Sequence, residues 1–216
     1  MRNILPTSER DLWWNWAIAE LDSTRFGEDF RSLIPIELQT KLRAGRRDVL
    51  TQSDWHELKG AVLKFRFPIL LDLLQLGIDW YEGELDPSDL PDIRIMNYEP
   101  HVRLAPSRTL AAFAAALDAG RNSGENEFGG NYRTVRDTFR TDQLRGRPIL
   151  VAEATSGPFT LLEGYTRLTV MTSLRRAGKI DSQPIPVLLG VCSRLKEWHL
   201  YFLLKGDPVR SPKSLF

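Results

Sequence analysis

The stretch that decides the fold is RPILVAEATSGPFTLLEGYTRLTVMTSLRRAGKIDSQPIPVLLGV, which spans residues 147–191. Its apolar run at 148–152 predicts a buried strand, and the turn residues Ser156, Gly157 and Pro158 predict a hairpin into a second strand at 159–162. Apolar residues then recur at helical spacing from 165 to 174, before Gly178, and a further apolar run occupies 185–191. The stretch therefore predicts a unit of strand, hairpin, helix and strand.

The turn between the second strand and the helix reads Glu163-Gly164-Tyr165-Thr166-Arg167. The first amides of a helix point outward without partners and the helix dipole adds partial positive charge, so a phosphate suits this position. Gly164 allows close backbone approach, Thr166 offers a hydroxyl, and Arg167 offers a forked donor for phosphate oxygens. Glu163 is the candidate base or holder of a metal-bound water. The structural alternative is that Gly164 only makes the turn, while Glu163 and Arg167 form ion pairs with each other or elsewhere.

Sequence patterns in the first third of the chain predict a layer of helices. Helix-start signals at Ser8, Pro35 and Thr51 each precede apolar residues at helical spacing. Residues 79–99 are rich in acids and prolines, which favours an irregular connection between two parts of the chain. We therefore predict an α/β (α+β) fold in which a helical N-terminal region, 1–88, precedes a small mixed sheet with helices, 89–216.

Composition indicates an ordinary soluble protein. Acidic and basic residues nearly cancel to a net charge of +1, so nucleic-acid binding would need a local basic patch. The N-terminus has no apolar signal-peptide core, which predicts a cytoplasmic protein without a membrane partner. The single cysteine, Cys192, lies in an apolar run and is predicted to be a packing residue.

One local basic patch is predicted, after the Ala-rich segment at 110–117. From 133 to 147 the chain carries five arginines against two aspartates, an excess of three positive charges. Such a stretch suits the phosphate backbone of DNA, although a solvated helix face explains it about as well. The candidate nucleic-acid contacts are Arg133, Arg136, Arg140, Arg145 and Arg147.

The order of elements around Gly164 resembles the N-terminal domain shared by ParB partition proteins and sulfiredoxin. In that superfamily a Gly-x-x-Arg turn grips nucleotide phosphates, and here the motif is Gly164-Tyr165-Thr166-Arg167. Sulfiredoxins place their reactive cysteine directly after this glycine, where this chain has Tyr165. ParB partition proteins have a more charged turn and continue into a helix-turn-helix domain, for which too few residues follow. Neither sulfinic acid reduction nor centromere binding is therefore expected.

The resemblance implies a stand-alone member of the superfamily, similar to plasmid fertility-inhibition proteins with ATPase and nuclease activities. It implies binding of ATP or a related nucleotide, together with Mg²⁺, and hydrolysis of a phosphoester. Arg167 and the amides of Tyr165 and Thr166 would contact phosphate, and Glu163 would position water or metal. Two alternatives stay open. One is a non-catalytic inhibitor or interaction protein that keeps the fold and binds a protein partner through its helical region, and the other is a nuclease or DNA-binding module.

Overall fold

One mixed sheet forms the centre of the computed structural model, which describes residues 1–23, 26–70, 72–121, 128–139, 146–180 and 183–201. The strands within these residues are β1 (Arg2–Pro6), β2 (Asp79–Leu85), β3 (Arg94–Ile95), β4 (Ile149–Ala152), β5 (Thr160–Glu163) and β6 (Ile185–Val191). Their order across the sheet is β1-β2-β6-β4-β5-β3. Neighbouring strands are antiparallel except β4 with β6 and β3 with β5, which are parallel.

The helices in the described part of the chain form two groups, one on either side of β2 in sequence. The first group is α1 (Glu9–Leu21), α2 (Gly27–Arg31), α3 (Ile36–Arg43) and α4 (Gln52–Leu70). The second group is α5 (Glu99–Leu104), α6 (Leu110–Asp118), α7 (Phe128–Thr138) and α8 (Tyr165–Arg176). The α/β (α+β) class and the helical character of the first third are therefore confirmed. No helix among these residues is long and apolar enough to cross a membrane.

The strand, hairpin, helix and strand predicted for 147–191 is present as β4, β5, α8 and β6. Strands β4 and β5 pair antiparallel through the predicted turn. Helix α8 returns the chain so that β6 lies parallel to β4. Gly178 ends α8 with a φ of 68°, in the left-handed region that glycine adopts without steric cost.

The sheet separates two apolar cores, because successive side chains of a strand point to opposite faces. Ile149 and Val151 of β4 belong to a cluster that includes Trp16 of α1. Leu150 and Ala152 belong to a second cluster that includes residues of α8. The molecule therefore has three layers, in which the N-terminal helices cover one face of the sheet and α8 covers the other.

Residues 79–99 are not the irregular connection that their acids and prolines predict. Residues Asp79–Leu85 form β2, which pairs with β1 on one side and with β6 on the other. Basic neighbours match its acids, since Glu82 pairs with Arg147 at 2.8 Å and Glu84 with Arg2 at 3.3 Å. The sheet therefore takes strands from both sides of the predicted boundary between 88 and 89.

Three element ends lie outside the patterns described above. Residues Arg2–Pro6, ahead of the helix start at Ser8, form β1. Helix α6 is capped by Thr109, whose hydroxyl accepts a hydrogen bond from Ala112 N at 3.3 Å. Helix α7 begins at Phe128, and residues 122–127 before it lie outside the described residues.

Helix α4 is kinked at Arg66, where the backbone angles are non-helical, two residues before Pro68. The packing role predicted for Cys192 is confirmed. Cys192 is buried just beyond β6, where its Sγ donates to the carbonyl of Leu76 at 3.4 Å. The thiol is therefore a packing group in the core.

Candidate ligand site at the Gly164 turn

The turn at Gly164 joins the end of β5 to the start of α8. Gly164 is the residue before the first helical turn and has a φ of 101°, which only glycine adopts readily. It is buried, and a Cβ at this position would lie 3.0 Å from Cβ of Pro148. The α-carbon of Gly164 thus faces Pro148, so the glycine is needed for the turn and for its packing against the residue before β4.

Glu163 and Arg167 contact each other one helical turn apart. The Arg167 guanidinium donates to the Glu163 carboxylate, and its Nη1 also donates to the carbonyl of Gly146 at 2.6 Å. Each side chain is only 15% exposed. The structure therefore brings together the two side chains predicted to act on phosphate and metal, but as partners in a largely buried ion pair.

A second ion pair lies beside the first and comes from the N-terminal helices. Glu20 of α1 accepts from Arg66 of α4. Burial raises the pKa of Glu163, and the neighbouring Arg167 opposes that shift. Glu20 raises the same pKa further and Arg66 lowers it, so all four charges act on one another.

The N-terminal helical layer covers this side of the turn. The amide of Arg147 donates to Asn15 Oδ1 of α1 at 3.0 Å. A Cβ at Gly146, which has a φ of 68°, would lie 2.6 Å from the carbonyl oxygen of Asn15. Because Gly146 also accepts from Arg167, α1 is in contact with the segment that holds the Arg167 guanidinium.

Tyr165, the first residue of α8, points to the other side of the turn. Its hydroxyl donates to the carbonyl of Leu161 at 3.0 Å and accepts from the amide of Met96 at 2.8 Å. Its ring lies 4.3 Å from the ring of His101, centroid to centroid. Burial raises the pKa of Tyr165. The phenol therefore fixes the start of α8 against the segment that follows β3.

Two arginines lie near Tyr165 that sequence reasoning missed. Arg94 and Arg108 are both partly buried and interact with each other as like charges. Burial lowers the pKa of Arg108, Tyr165 opposes that shift, and Arg94 lowers the pKa further. Arg108 also has a φ of 57°, a left-handed conformation uncommon for a residue with a side chain.

A tyrosine completes this second group of side chains, which we call the Arg94/Arg108 cluster. Tyr201 interacts electrostatically with Arg94, Arg108 and the exposed Glu153. The cluster comprises Arg94, Arg108, Tyr165 and Tyr201, and Glu153 is the acidic residue that acts on it. Asn97, nearby in sequence, is 2% exposed, and its Nδ2 has no hydrogen-bond partner among the described residues.

Two arginines of the predicted basic stretch form ion pairs in the described part of the chain. Arg136 pairs with Asp118 at 3.0 Å, and Arg147 pairs with Glu82 of β2. Arg133 is exposed on α7, while Arg140 and Arg145 lie outside the described residues. No group of three or more His, Cys, Asp or Glu side chains in the described ranges is placed to hold a metal ion.

Comparison with protein-family models, with curated proteins and with solved structures found no match to this chain. The resemblance to the ParB and sulfiredoxin superfamily therefore rests on the Gly164 turn and on the order of the elements around it.

Proposed function

We propose that the protein binds a nucleotide, with ATP as the first candidate, at the Gly164 turn before α8. One observation carries the proposal. Gly164 has a φ of 101° directly before the first turn of α8, and Nη2 of Arg167 lies 3.5 Å from the position of a Cβ added to this glycine. The turn thus places the positive end of the helix dipole beside an arginine guanidinium, and both suit phosphate oxygens.

Backbone conformation and the helix terminus support an anion at this place. Strained residues tend to occur where a ligand requires them, and Arg108 is held in the left-handed region. The positive end of the α8 dipole lies at Tyr165, whose phenol interacts with Arg108. Arginine forks match phosphate oxygens in geometry as well as in charge. The Gly-x-x-Arg resemblance makes a nucleotide the first choice among phosphate-containing ligands.

Hydrolysis of a phosphoester is the activity that the resemblance adds, with Glu163 as the candidate carboxylate. Burial raises the pKa of Glu163 above its ordinary value, and perturbed carboxyl pKa values are common at catalytic sites. In the structure Arg167 donates to the Glu163 carboxylate. Both groups can therefore contact a ligand only when this ion pair opens. Mg²⁺ would enter with the nucleotide, because this ion is commonly held by phosphates and one or two carboxylates.

A non-catalytic interaction protein is the second candidate, and the paired charges favour it. Glu163 and Arg167 satisfy each other, and the N-terminal helices cover them. A protein that kept the fold but lost catalytic activity would have such a site, in which the charged groups pair with each other and need no ligand. Nucleotide titration separates this candidate from the first.

We expect calorimetric titration with ATP and Mg²⁺ to show binding by the wild-type protein. Arg108→Ala and Arg167→Ala should each weaken affinity by about ten- to a hundredfold, the usual effect of losing a charge-assisted contact. Arg46→Gln is the matched control, since Arg46 forms an exposed ion pair with Asp48 and is more than 100 positions from Gly164 in sequence. Wild-type protein that releases no heat at millimolar ATP would contradict nucleotide binding. A fall in melting temperature for Arg167→Ala, with no ligand affinity to lose, would favour the second candidate.

A further inference from the structure

Four buried or partly buried charges from four elements meet behind the Gly164 turn. Glu20 comes from α1, Arg66 from α4, Glu163 from β5 and Arg167 from α8. The ion pairs Glu20–Arg66 and Glu163–Arg167 make the group neutral. Buried charges require partners, and removal of one partner leaves an uncompensated charge. Glu20 and Arg66 both act electrostatically on Glu163, so a change in their pair acts on the Glu163–Arg167 pair.

The Glu20–Arg66 pair is held firmly in its place. Trp16 Nε1 donates to Glu20 Oε1 at 3.3 Å. The Arg66 guanidinium lies over the rings of Phe26 and Phe65, at 4.5 and 4.4 Å from their centroids. The backbone of Arg66 departs from helical angles at the kink of α4, and its Nε has no partner among the described residues. The packing thus presents this guanidinium from a defined position in the N-terminal layer.

Arg167 cannot grip a phosphate while it is the main partner of Glu163. If it turns toward a ligand, the buried Glu163 carboxylate needs a replacement cation. Arg66 is the other cation that lowers the pKa of Glu163, and it has an unused donor. The charges that act on Glu163 are Arg167 of α8, Glu20 of α1 and Arg66 of α4.

We propose that Glu20 and Arg66 are positioning residues of the ligand site, and that Arg66 takes over Glu163 when Arg167 turns to a bound phosphate. This inference rests on the proposed nucleotide binding and makes the N-terminal helical layer part of the site. Glu20 competes with Glu163 for Arg66, so the strength of the Glu20–Arg66 pair sets how easily Arg167 is released. A partner that moves α1 or α4 would then regulate affinity.

The proposal gives two substitutions opposite effects. Arg66→Met removes the replacement cation, so Arg167 stays on Glu163, ATP affinity falls by about fivefold or more, and the pKa of Glu163 rises. Glu20→Gln removes the competitor, so Arg66 turns to Glu163, ATP affinity rises, and the pKa of Glu163 falls. Opposite pKa shifts alone follow from removing a nearby cation or anion. A merely structural role would lower the melting temperature and weaken ATP binding in both variants, without opposite changes in affinity. Arg66→Lys keeps the charge and should restore affinity relative to Arg66→Met.

The experiment combines carboxyl-carbon NMR titration of Glu163 without ligand and calorimetry with ATP and Mg²⁺. Glu163→Gln identifies the resonance, and Arg46→Gln serves as the control that should leave both readouts unchanged. Opposite pKa shifts in Arg66→Met and Glu20→Gln, with opposite changes in affinity, are expected. Equal or absent pKa shifts would overturn the positioning role. Wild-type protein that binds no ATP in calorimetry would overturn the proposed function instead. The NMR titration of Glu163 is made without ligand, so its result does not depend on ATP binding.

Discussion

At the scale of single residues, Asp11 shows how a buried charge is stabilised at the start of α1. Its carboxylate accepts from the Thr7 hydroxyl at 2.6 Å, from the Ser8 hydroxyl at 2.8 Å and from Arg47. Burial alone would raise the pKa of Asp11, but the hydrogen bonds from Arg47, Thr7 and Ser8 outweigh it and lower the pKa to about 2. The ionised form is therefore favoured by folding.

We expect Asp11→Asn to lower the free energy of unfolding at pH 7 by about 2 kcal/mol, since one pKa unit corresponds to about 1.4 kcal/mol. Because the folded pKa lies below the ordinary value of 3.8, this stability is present above pH 4 and is lost as pH falls toward 2. Urea denaturation at pH 7 and at pH 2 measures it. Asp48→Asn, at an exposed pair, is the control and should change little. Equal losses in the two variants would contradict the assigned role of Asp11.

Residue-scale reasoning from sequence found one side of the Gly164 turn and missed the other. Glu163 and Arg167 are four positions apart across the Gly164 turn, so local sequence brings them together. Arg94 lies in β3, which pairs parallel with the start of β5, opposite Thr160. Arg108 joins this segment through hydrogen bonds with the backbone of Ile95. No local pattern encodes such long-range neighbours.

At the scale of elements, the turn between β5 and α8 depends on one glycine. We expect Gly164→Ala to lower the free energy of unfolding by about 3 kcal/mol, because it adds backbone strain and a contact with Pro148. Gly178→Ala is the matched control, since Gly178 also has a positive φ but has nothing within 4 Å of an added Cβ. Its loss should be about 1 kcal/mol, from strain alone. Chemical denaturation of both variants measures the difference, and equal losses would show that Pro148 gives way.

Elements with strong local periodicity were predictable, and elements defined by their neighbours were not. The helices and the unit at 147–191 carry turn residues and apolar spacing that indicate their type without tertiary information. Strand β2 has acids at Glu82 and Glu84, which favour solvent until Arg147 and Arg2 lie opposite them. Its pairing with β6 depends on residues 100 or more positions away. Composition alone therefore indicated a connection where the fold has an inner strand.

At the scale of the whole molecule, one apolar cluster joins the N-terminal helices to the sheet. Trp16 of α1 and Leu58 of α4 share it with Trp80 of β2 and Leu188 of β6. A domain that folds alone has its own core. This shared core predicts that regions 1–88 and 89–216 unfold as one cooperative unit, even though their sequences suggest a boundary.

Gly190 of β6 offers a test of that cooperativity. A Cβ at this position would lie 2.8 Å from Ile78 Cγ2 and 2.9 Å from the ring of Trp80, so Gly190→Ala must displace the tryptophan from the shared core. We expect this overpacking to lower stability by about 1 to 3 kcal/mol. Native-state hydrogen exchange, followed by mass spectrometry, should show the same loss of protection in α1 as in α8, because both open only with the whole molecule. Gly60→Ala, at an exposed position of α4 with nothing within 4 Å, is the control and should preserve protection in both helices. Loss of protection in α8 with α1 unchanged would mean that the two regions are independent domains.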